Sequence, residues 1–334
     1  MNSQAPAAEP VPRRVRETAE RTLAIGVDIG GTKIAAGVVD EGGHIVARTR
    51  RPTPADDPPR TQESIADAVR ELTSEYTVVG VGLGAAGFVD EKRSTVMFAP
   101  NLAWRDEHLR ESLEDRLGMP VVVENDANAA AWAEARFGAA RGESHAVILT
   151  IGTGIGGGVV VDGKLLRGRY GLAAEIGHFT IVPDGRRCGC GLHGCWEQYG
   201  SGRALVLEAQ EQATVAPSMA QELLRLAGGR PEGITGHLVT AAAQSGDVTA
   251  LNCFDELGKW LGRGMAALAA ILDPGMFVIA GGVSEAGEIL RAPAEVVFRK
   301  NLTGRGHRPT AKVRIAELGN EAGLVGAADL SHLR

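Results

Sequence analysis

Three of the chain's four cysteines fall in one short stretch, "RRCGCGLHGCWEQYG" (186–200): Cys188, Cys190 and Cys195. Thiols this dense, separated by glycine, can wrap a single metal ion. Zinc takes four ligands in a tetrahedron, commonly Cys and His. Two histidines compete for the fourth place, His193 inside the stretch and His178 ahead of it in "AAEIGHFTIVPDGRRC". Spacing alone leaves both open. A thioredoxin-like C-x-x-C is absent, which weakens a redox reading.

Two glycine-rich segments, "GVDIGGTK" and "TIGTGIGGG", each sit between apolar runs that read as strands. Consecutive small residues let backbone N–H groups converge on an anion. Thr32, Lys33 and Thr153 can add hydroxyl or ammonium donors. Asp28, at the end of its strand, could hold a magnesium ion through water. In "VVVENDANAAAWAEARFG", Asn125 and Asp126 stand where a strand becomes an alanine-rich helix. Asn or Asp there is the usual N-cap. The helix dipole also favours the carboxylate form, and such a carboxylate can take a proton from a substrate hydroxyl. Anion-binding hairpins plus a carboxylate imply phosphoryl transfer to an alcohol, in which the protein positions, neutralises charge and supplies a base. Water must be kept out, so lobe closure is expected. No G-x-x-x-x-G-K-[ST] occurs, which excludes a Walker P-loop. G-x-G-x-x-G occurs from Gly82 and from Gly152. A dinucleotide fold needs a helix directly afterwards, but the first is followed by the charged turn "FVDEKRS" and the second by a strand.

The elements that must position these groups repeat. Laying residues 150–162 on 28–40 matches Ile151-Gly152 with Ile29-Gly30, and Val160-Val161-Asp162 with Val38-Val39-Asp40. Each copy reads strand, glycine loop, strand, turn, strand. Self-similarity of this kind signals a duplicated unit, hence two similar α/β lobes, each offering one glycine loop. The pattern predicts a helix over "TQESIADAVRELTSEY" with Thr61 as its cap, and helices near 201–228 and 238–272. Residues 22–138 form the small lobe, 139–320 the large one, and a helix over 321–334 packs back on the first. Residues 1–21 read as a disordered tail.

The 334 residues carry a formal charge of −6 and 44% hydrophobic residues. That balance excludes a nucleic-acid partner, which would want a basic surface. No apolar run is long enough to span a membrane, and the N-terminus lacks a signal peptide's apolar core. A cytoplasmic location is expected, where a structural disulfide is disfavoured. Cys253 reads as a small core residue, and Trp132 and Trp260 as helix packing.

"DIGGTK", "ENDANAAA", "LTIGTGIGGG", "AAEIGHFTIVPDG" and "CGCGLHGCWEQ" occur in that order. Together, over about residues 22–331, they resemble the ROK family of sugar kinases and repressors, most closely its bacterial glucokinases. The resemblance implies the actin-like ATPase (ribonuclease H-like) fold, with two lobes about a central cleft. It implies transfer of the γ-phosphate of ATP to the 6-hydroxyl of glucose, with Asp126 as the base. Asn101, Asn125, Glu175, His178 and Glu197 would bind sugar hydroxyls, with Gly87 contributing backbone. Asp28, Gly31, Thr32, Lys33, Thr153 and Gly154 would surround the phosphates of ATP and its Mg2+, with Gly281 and Gly282 near the adenosine. The family pattern H-x9-C-x-C-x4-C makes His178 the fourth ligand of a structural Zn2+ beside Cys188, Cys190 and Cys195. A zinc-bound imidazole keeps its second nitrogen for another bond, so His178 could face both metal and sugar. The family also favours homodimers and homotetramers. Mannose, an N-acetylhexosamine, or polyphosphate as donor are the alternatives within the enzyme reading. A sugar-sensing repressor is the alternative outside it. Only about 22 residues precede the first strand, few for a helix-turn-helix, and Asp126 points to catalysis.

Overall fold

The computed structural model describes residues 22–332; the tail expected over 1–21 lies outside the described residues. The first half of the chain gives β1 (Ala24–Ile29), β2 (Lys33–Val39), β3 (Ile45–Pro52), α1 (Pro58–Thr73), β4 (Val81–Ala85), β5 (Phe88–Val89), β6 (Val96–Phe98), β7 (Arg105–Glu107), α2 (Leu109–Leu117), β8 (Val121–Asn125) and α3 (Asp126–Arg136). The second gives β9 (Ala146–Ile151), β10 (Ile155–Val161), β11 (Lys164–Leu165), α4 (Glu197–Gly200), α5 (Gly202–Val215), α6 (Gln221–Leu226), α7 (Gly236–Gln244), α8 (Val248–Leu272), β12 (Met276–Ala280), α9 (Glu288–Asn301), β13 (Lys312–Ile315) and α10 (Ala322–Leu330).

The strands pair into two five-stranded sheets, β3-β2-β1-β4-β8 and β11-β10-β9-β12-β13. The order is the same in both. In each, an antiparallel meander comes first and two parallel strands follow on its far side. The duplication read from the glycine loops is therefore a duplication of whole sheets. The central strands β1, β4, β9 and β12 are apolar nearly throughout and buried along their length, as strands covered on both faces must be. One core packs α1 and α2 on the first sheet around Ile65, Val69 and Leu109. A second packs α5, α8 and α9 on the other sheet around Phe254, Phe277 and Phe298.

Two local expectations need correction. Helix α1 starts earlier than its periodicity suggests: Asp57 caps it, accepting the Arg60 N–H at 3.1 Å, with proline in the first turn. Proline fits there because that N–H has no intrahelical partner. Thr61 lies inside the helix, its hydroxyl turned back to the Pro54 and Asp57 carbonyls. The charged stretch after Gly87 is also more than a turn. It opens a small antiparallel sheet, β5-β6-β7, whose first turn is held by the Asp90 carboxylate on the N–H groups of Ser94 and Thr95.

Helix α10 lies across β1 and β4 and alongside α3. Its backbone comes so near the sheet that a Cβ on Gly82 would stand 1.7 Å from the Ala327 carbonyl oxygen. One on Gly26 would stand 1.9 Å from that of Leu324, and Gly326 meets the Ala129 carbonyl equally closely. The indole of Trp132 on α3 donates to Asp329 on α10 at 2.6 Å. Among the described residues no helix is long and apolar enough to cross a membrane.

A methyl group has no room at these contacts, and overpacking of this kind costs about 1–3 kcal/mol. Gly82→Ala and Gly326→Ala should each lower the free energy of unfolding by at least that amount in urea titrations. Unchanged midpoints would contradict the close approach of α10.

Candidate active site

The two glycine segments are the β1–β2 and β9–β10 hairpins. The first is closed by the Gly30 N–H on the Lys33 carbonyl at 3.0 Å and buttressed by the Thr53 hydroxyl on the Gly30 carbonyl at 2.8 Å. Asn101 sits against it, its Cβ 3.2 Å from where a Cβ on Gly31 would lie. Thr32 and Lys33 are exposed at its tip. Lys33 lines a small cavity with Asp28, Arg48 and Arg50. The second hairpin is closed by the Gly152 N–H on the Gly154 carbonyl at 3.0 Å and joined to the start of α5 by the Gly202 N–H on the Gly152 carbonyl.

A cavity of about 400 Å3 lies between this second hairpin and the N-termini of α5 and α7. Thr153 and Gly282 line it, together with Arg203, His237 and Thr240, which no sequence pattern singled out. Helix N-termini present free N–H groups and positive dipole ends, a natural anion environment. Gly281 turns the chain beside it with φ +84°, and a Cβ there would stand 2.5 Å from the Ile151 carbonyl oxygen. Only glycine fits.

Strand β8 ends and α3 begins at the Asn125–Asp126 bond. Asn125 is the cap, its Oδ1 accepting the Asn128 N–H at 3.0 Å while its Nδ2 donates to the Gly87 carbonyl at 3.1 Å. An amide has two donors and two lone pairs, so each end keeps one for a ligand. Asp126 is the first helical residue, and its Oδ1 accepts the Ala127 N–H at 2.9 Å. Its pKa is pushed up to about 6, chiefly by burial, then by the Asp28 charge, with Glu175 adding to it and the Ala127 N–H opposing. Burial likewise raises Asp28 against the pull of Lys33. It raises Glu175 too, where His178 opposes and Glu197 reinforces. Asp126 thus feels the charge of carboxyl groups from both halves of the chain.

Glu197 opens α4, and its Oε2 lies 2.4 Å from where a Cβ on Gly154 would stand, so it abuts the second hairpin. Its other oxygen is 3.8 Å from His178 Nδ1. His178, Cys188, Cys190 and Cys195 converge, with all four donor atoms within 4.8 Å of one another. His178 Nδ1 is 3.6 Å from Cys188 Sγ, and the Cys190 and Cys195 sulfurs are 3.6 Å apart. Tetrahedral zinc with Zn–S near 2.3 Å needs ligand separations of roughly 3.7 Å, so the donor set fits that ion. His193 is exposed and bonds the Gly185 carbonyl at 3.2 Å. The histidine beside the thiols is His178.

Sequence reasoning passed over the charges behind Asn125 and Asp126. Glu124 is only 1% exposed, and two arginines converge on its Oε2, Arg93 at 3.0 Å and Arg167 at 2.8 Å. A carboxylate directly after "VVV" at the end of a buried strand was the available signal, since such a charge must be paired.

The ROK family model matches residues 24–334. The glucokinase of Streptomyces coelicolor is 51% identical over 309 residues, spanning 92% of this chain and 97% of that protein. A crystal structure of a ROK family glucokinase from Streptomyces griseus, in complex with glucose and AMPPNP, is 52% identical, with a TM-score of 0.86 over 93% of this chain and all of the other. The ROK hexokinase of Thermus thermophilus is 38% identical, with a TM-score of 0.77 over 93% of this chain and 98% of the other. The match to one family thus runs nearly from end to end of the described residues: the chain belongs to the ROK family and has the actin-like ATPase fold of its sugar kinases.

Proposed function

We infer that this chain is a glucokinase, transferring the γ-phosphate of MgATP to the 6-hydroxyl of glucose. The observation that carries it is the partly buried Asp126 carboxyl at the start of α3, its pKa raised to about 6 beside the charges of Asp28 on β1 and Glu175 in the second half of the chain. The similarity to glucokinases over most of the chain supports the same reading. Glucose would lie between Asn101, Asn125 and the Gly87 backbone on one wall and Glu175, His178 and Glu197 on the other. Asp126 accepts the 6-hydroxyl proton as that oxygen attacks the γ-phosphorus. The bond to the β-phosphate oxygen breaks and ADP leaves. Gly31, Thr32, Lys33, Thr153 and Gly154 supply N–H, hydroxyl and ammonium groups to the phosphates, and Asp28 meets the magnesium of the substrate. Gly281 and Gly282 flank the adenosine. Closure turns about a boundary near residue 138, between a first lobe over 22–138 that takes in the last helix and a second over 139–320. The family likeness supports a homodimer or homotetramer working in the cytoplasm.

His178, Cys188, Cys190 and Cys195 would hold a structural zinc. The ion would fix the loop between two sugar-facing residues and leave His178 Nε2 free for a hydroxyl.

Discrimination among sugars turns on contacts to one or two hydroxyls. The direct test is kcat/KM for glucose, mannose and N-acetylhexosamines, with ATP and with polyphosphate. A preference for another hexose or for polyphosphate would replace the glucose–ATP reading.

An aspartate base must be ionised to work, so its raised pKa sets an acid limb. With kcat/KM measured against pH, activity should fall as pH drops through about 6, the value at Asp126. An ordinary aspartate would hold it flat to about 4. Ionising a carboxyl whose folded pKa is raised costs stability, and that cost grows as pH climbs from the unfolded value through about 6. Asp126→Asn should therefore lose about 100-fold or more in kcat, keep sugar binding, and melt no lower than wild type at pH 7. A variant that turns over normally would remove Asp126 as the base.

Metal analysis should find one zinc per chain. Cys190→Ser should lose it and raise the sugar KM, while His193→Ala keeps both intact. Active protein free of zinc would sink the assignment.

A further inference from the structure

Arg167 follows β11 in the second half of the chain, yet its guanidinium is spent on the first. Nη1 donates to the Glu91 carbonyl and Nη2 to the Asp90 carbonyl, both at 2.8 Å. Nε ion-pairs with Glu124 Oε2 at 2.8 Å. The same carboxylate takes Arg93 on Oε2, and on Oε1 the Asn125 N–H at 2.9 Å and the Asn128 side-chain amide at 3.2 Å. Arg167 is 11% exposed and Arg93 19%, against 1% for Glu124. The Arg167 Nε contact with Glu124 is an ion pair by distance, without hydrogen-bond alignment, while the bonds from Arg93 to Glu124 and from Arg167 to the two carbonyls are charge-assisted and directional.

What lies on either side gives the cluster its meaning. From Glu124 the chain runs straight into Asn125 and Asp126, and Asn125 bonds back to Gly87 just before the Asp90 turn. From Arg167 it runs through Gly171, where a Cβ would stand 2.4 Å from the Val89 carbonyl oxygen, to Glu175 and His178. One guanidinium therefore joins the two walls of the cleft that would hold the sugar. None of Glu124, Arg93 and Arg167 lines the cavity beside Thr153 and Gly282.

We propose that Arg167 is a positioning residue, an interlobe latch whose grip on Glu124 and on the Asp90 and Glu91 carbonyls holds the two sugar-binding walls in register. This rests on the sugar-kinase reading. Losing the latch should weaken sugar use selectively and leave the nucleotide side alone. Arg93 still pairs with Glu124 in Arg167→Ala, so the carboxylate is not abandoned in the interior and the fold should survive.

The test compares wild type, Arg167→Ala and Arg167→Lys in steady-state kinetics, varying glucose and ATP separately, with melting temperatures alongside. A small misplacement of catalytic walls is costly, so Arg167→Ala should raise the sugar KM about tenfold or more, with the ATP KM within about twofold. Lysine restores the charge on Glu124 but cannot reach both carbonyls, so Arg167→Lys should fall between. Added methylguanidinium should lower the sugar KM of Arg167→Ala and leave that of wild type unchanged. An unchanged sugar KM, or sugar and ATP KM rising together with a lower melting temperature, would overturn the latch. If Arg167→Ala does not fold, Arg167→Lys decides by the same criteria. A wild-type protein that phosphorylates no sugar would instead overturn the kinase reading.

Discussion

Glu134 is wholly buried near the end of α3. One of its oxygens accepts the Leu318 N–H at 2.8 Å, and the other takes the N–H groups of Ala139 at 2.8 Å and Glu317 at 3.2 Å. Those two segments are where the chain leaves the first sheet for the second and where it comes back. A carboxylate out of water is tolerable only if fully hydrogen-bonded, and here the bonds come from both crossings at once. A Cβ on Gly138 would stand 2.1 Å from its Oε2, so the outgoing crossing can pass this close only as glycine. Glu134 thus ties both crossings between the sheets to α3.

Helix α3 therefore links two kinds of work. At its start are Asn125, the cap, and Asp126, the partly buried acid; two turns later is Glu134. The Glu124 cluster lies just ahead of the helix, at the end away from the crossings. One end of α3 is thus tied to both crossings and the other abuts a charged cluster that spans the two halves of the chain. Meanwhile burial raises Asp28, Asp126 and Glu175, with neighbouring carboxylates adding to it at Asp126 and Glu175. Carboxyls crowded in this way favour ligands that bring hydroxyl donors or a cation.

Much of this was legible in the chain. The matched glycine segments carry the duplication because a hairpin approached by ligand or backbone has few residue choices. Asn125 and Asp126 stand out because a cap and an acid side by side at a strand end is a local signal. The three cysteines single out a metal-ligand kind of cluster by residue type alone. Choosing between His178 and His193 did not follow from spacing, because the choice depends on how residues 181–187 fold back. The Gly194 N–H on the Arg186 carbonyl at 2.8 Å and the bridge between Thr180 and Cys195 make that path, and it brings the more distant histidine to the sulfurs. Arg93, Arg167 and Glu134 were not legible as a framework. Their partners are far off in sequence, and an arginine in a charged turn looks like surface until the turn is buried. The β5-β6-β7 sheet escaped because strands of two or three residues carry no usable period.

The seating of α10 on β1 and β4 also governs how such a chain can be made. The first sheet is assembled from the earliest described strands, but the surface over Gly26 and Gly82 is covered only by residues near the far end. Domains usually fold in turn as they emerge from the ribosome. Here an apolar face of the first sheet stays uncovered until residues 322–330 have been made. A sheet that waits on so distant a helix leaves apolar surface open during synthesis, the condition under which nascent chains aggregate.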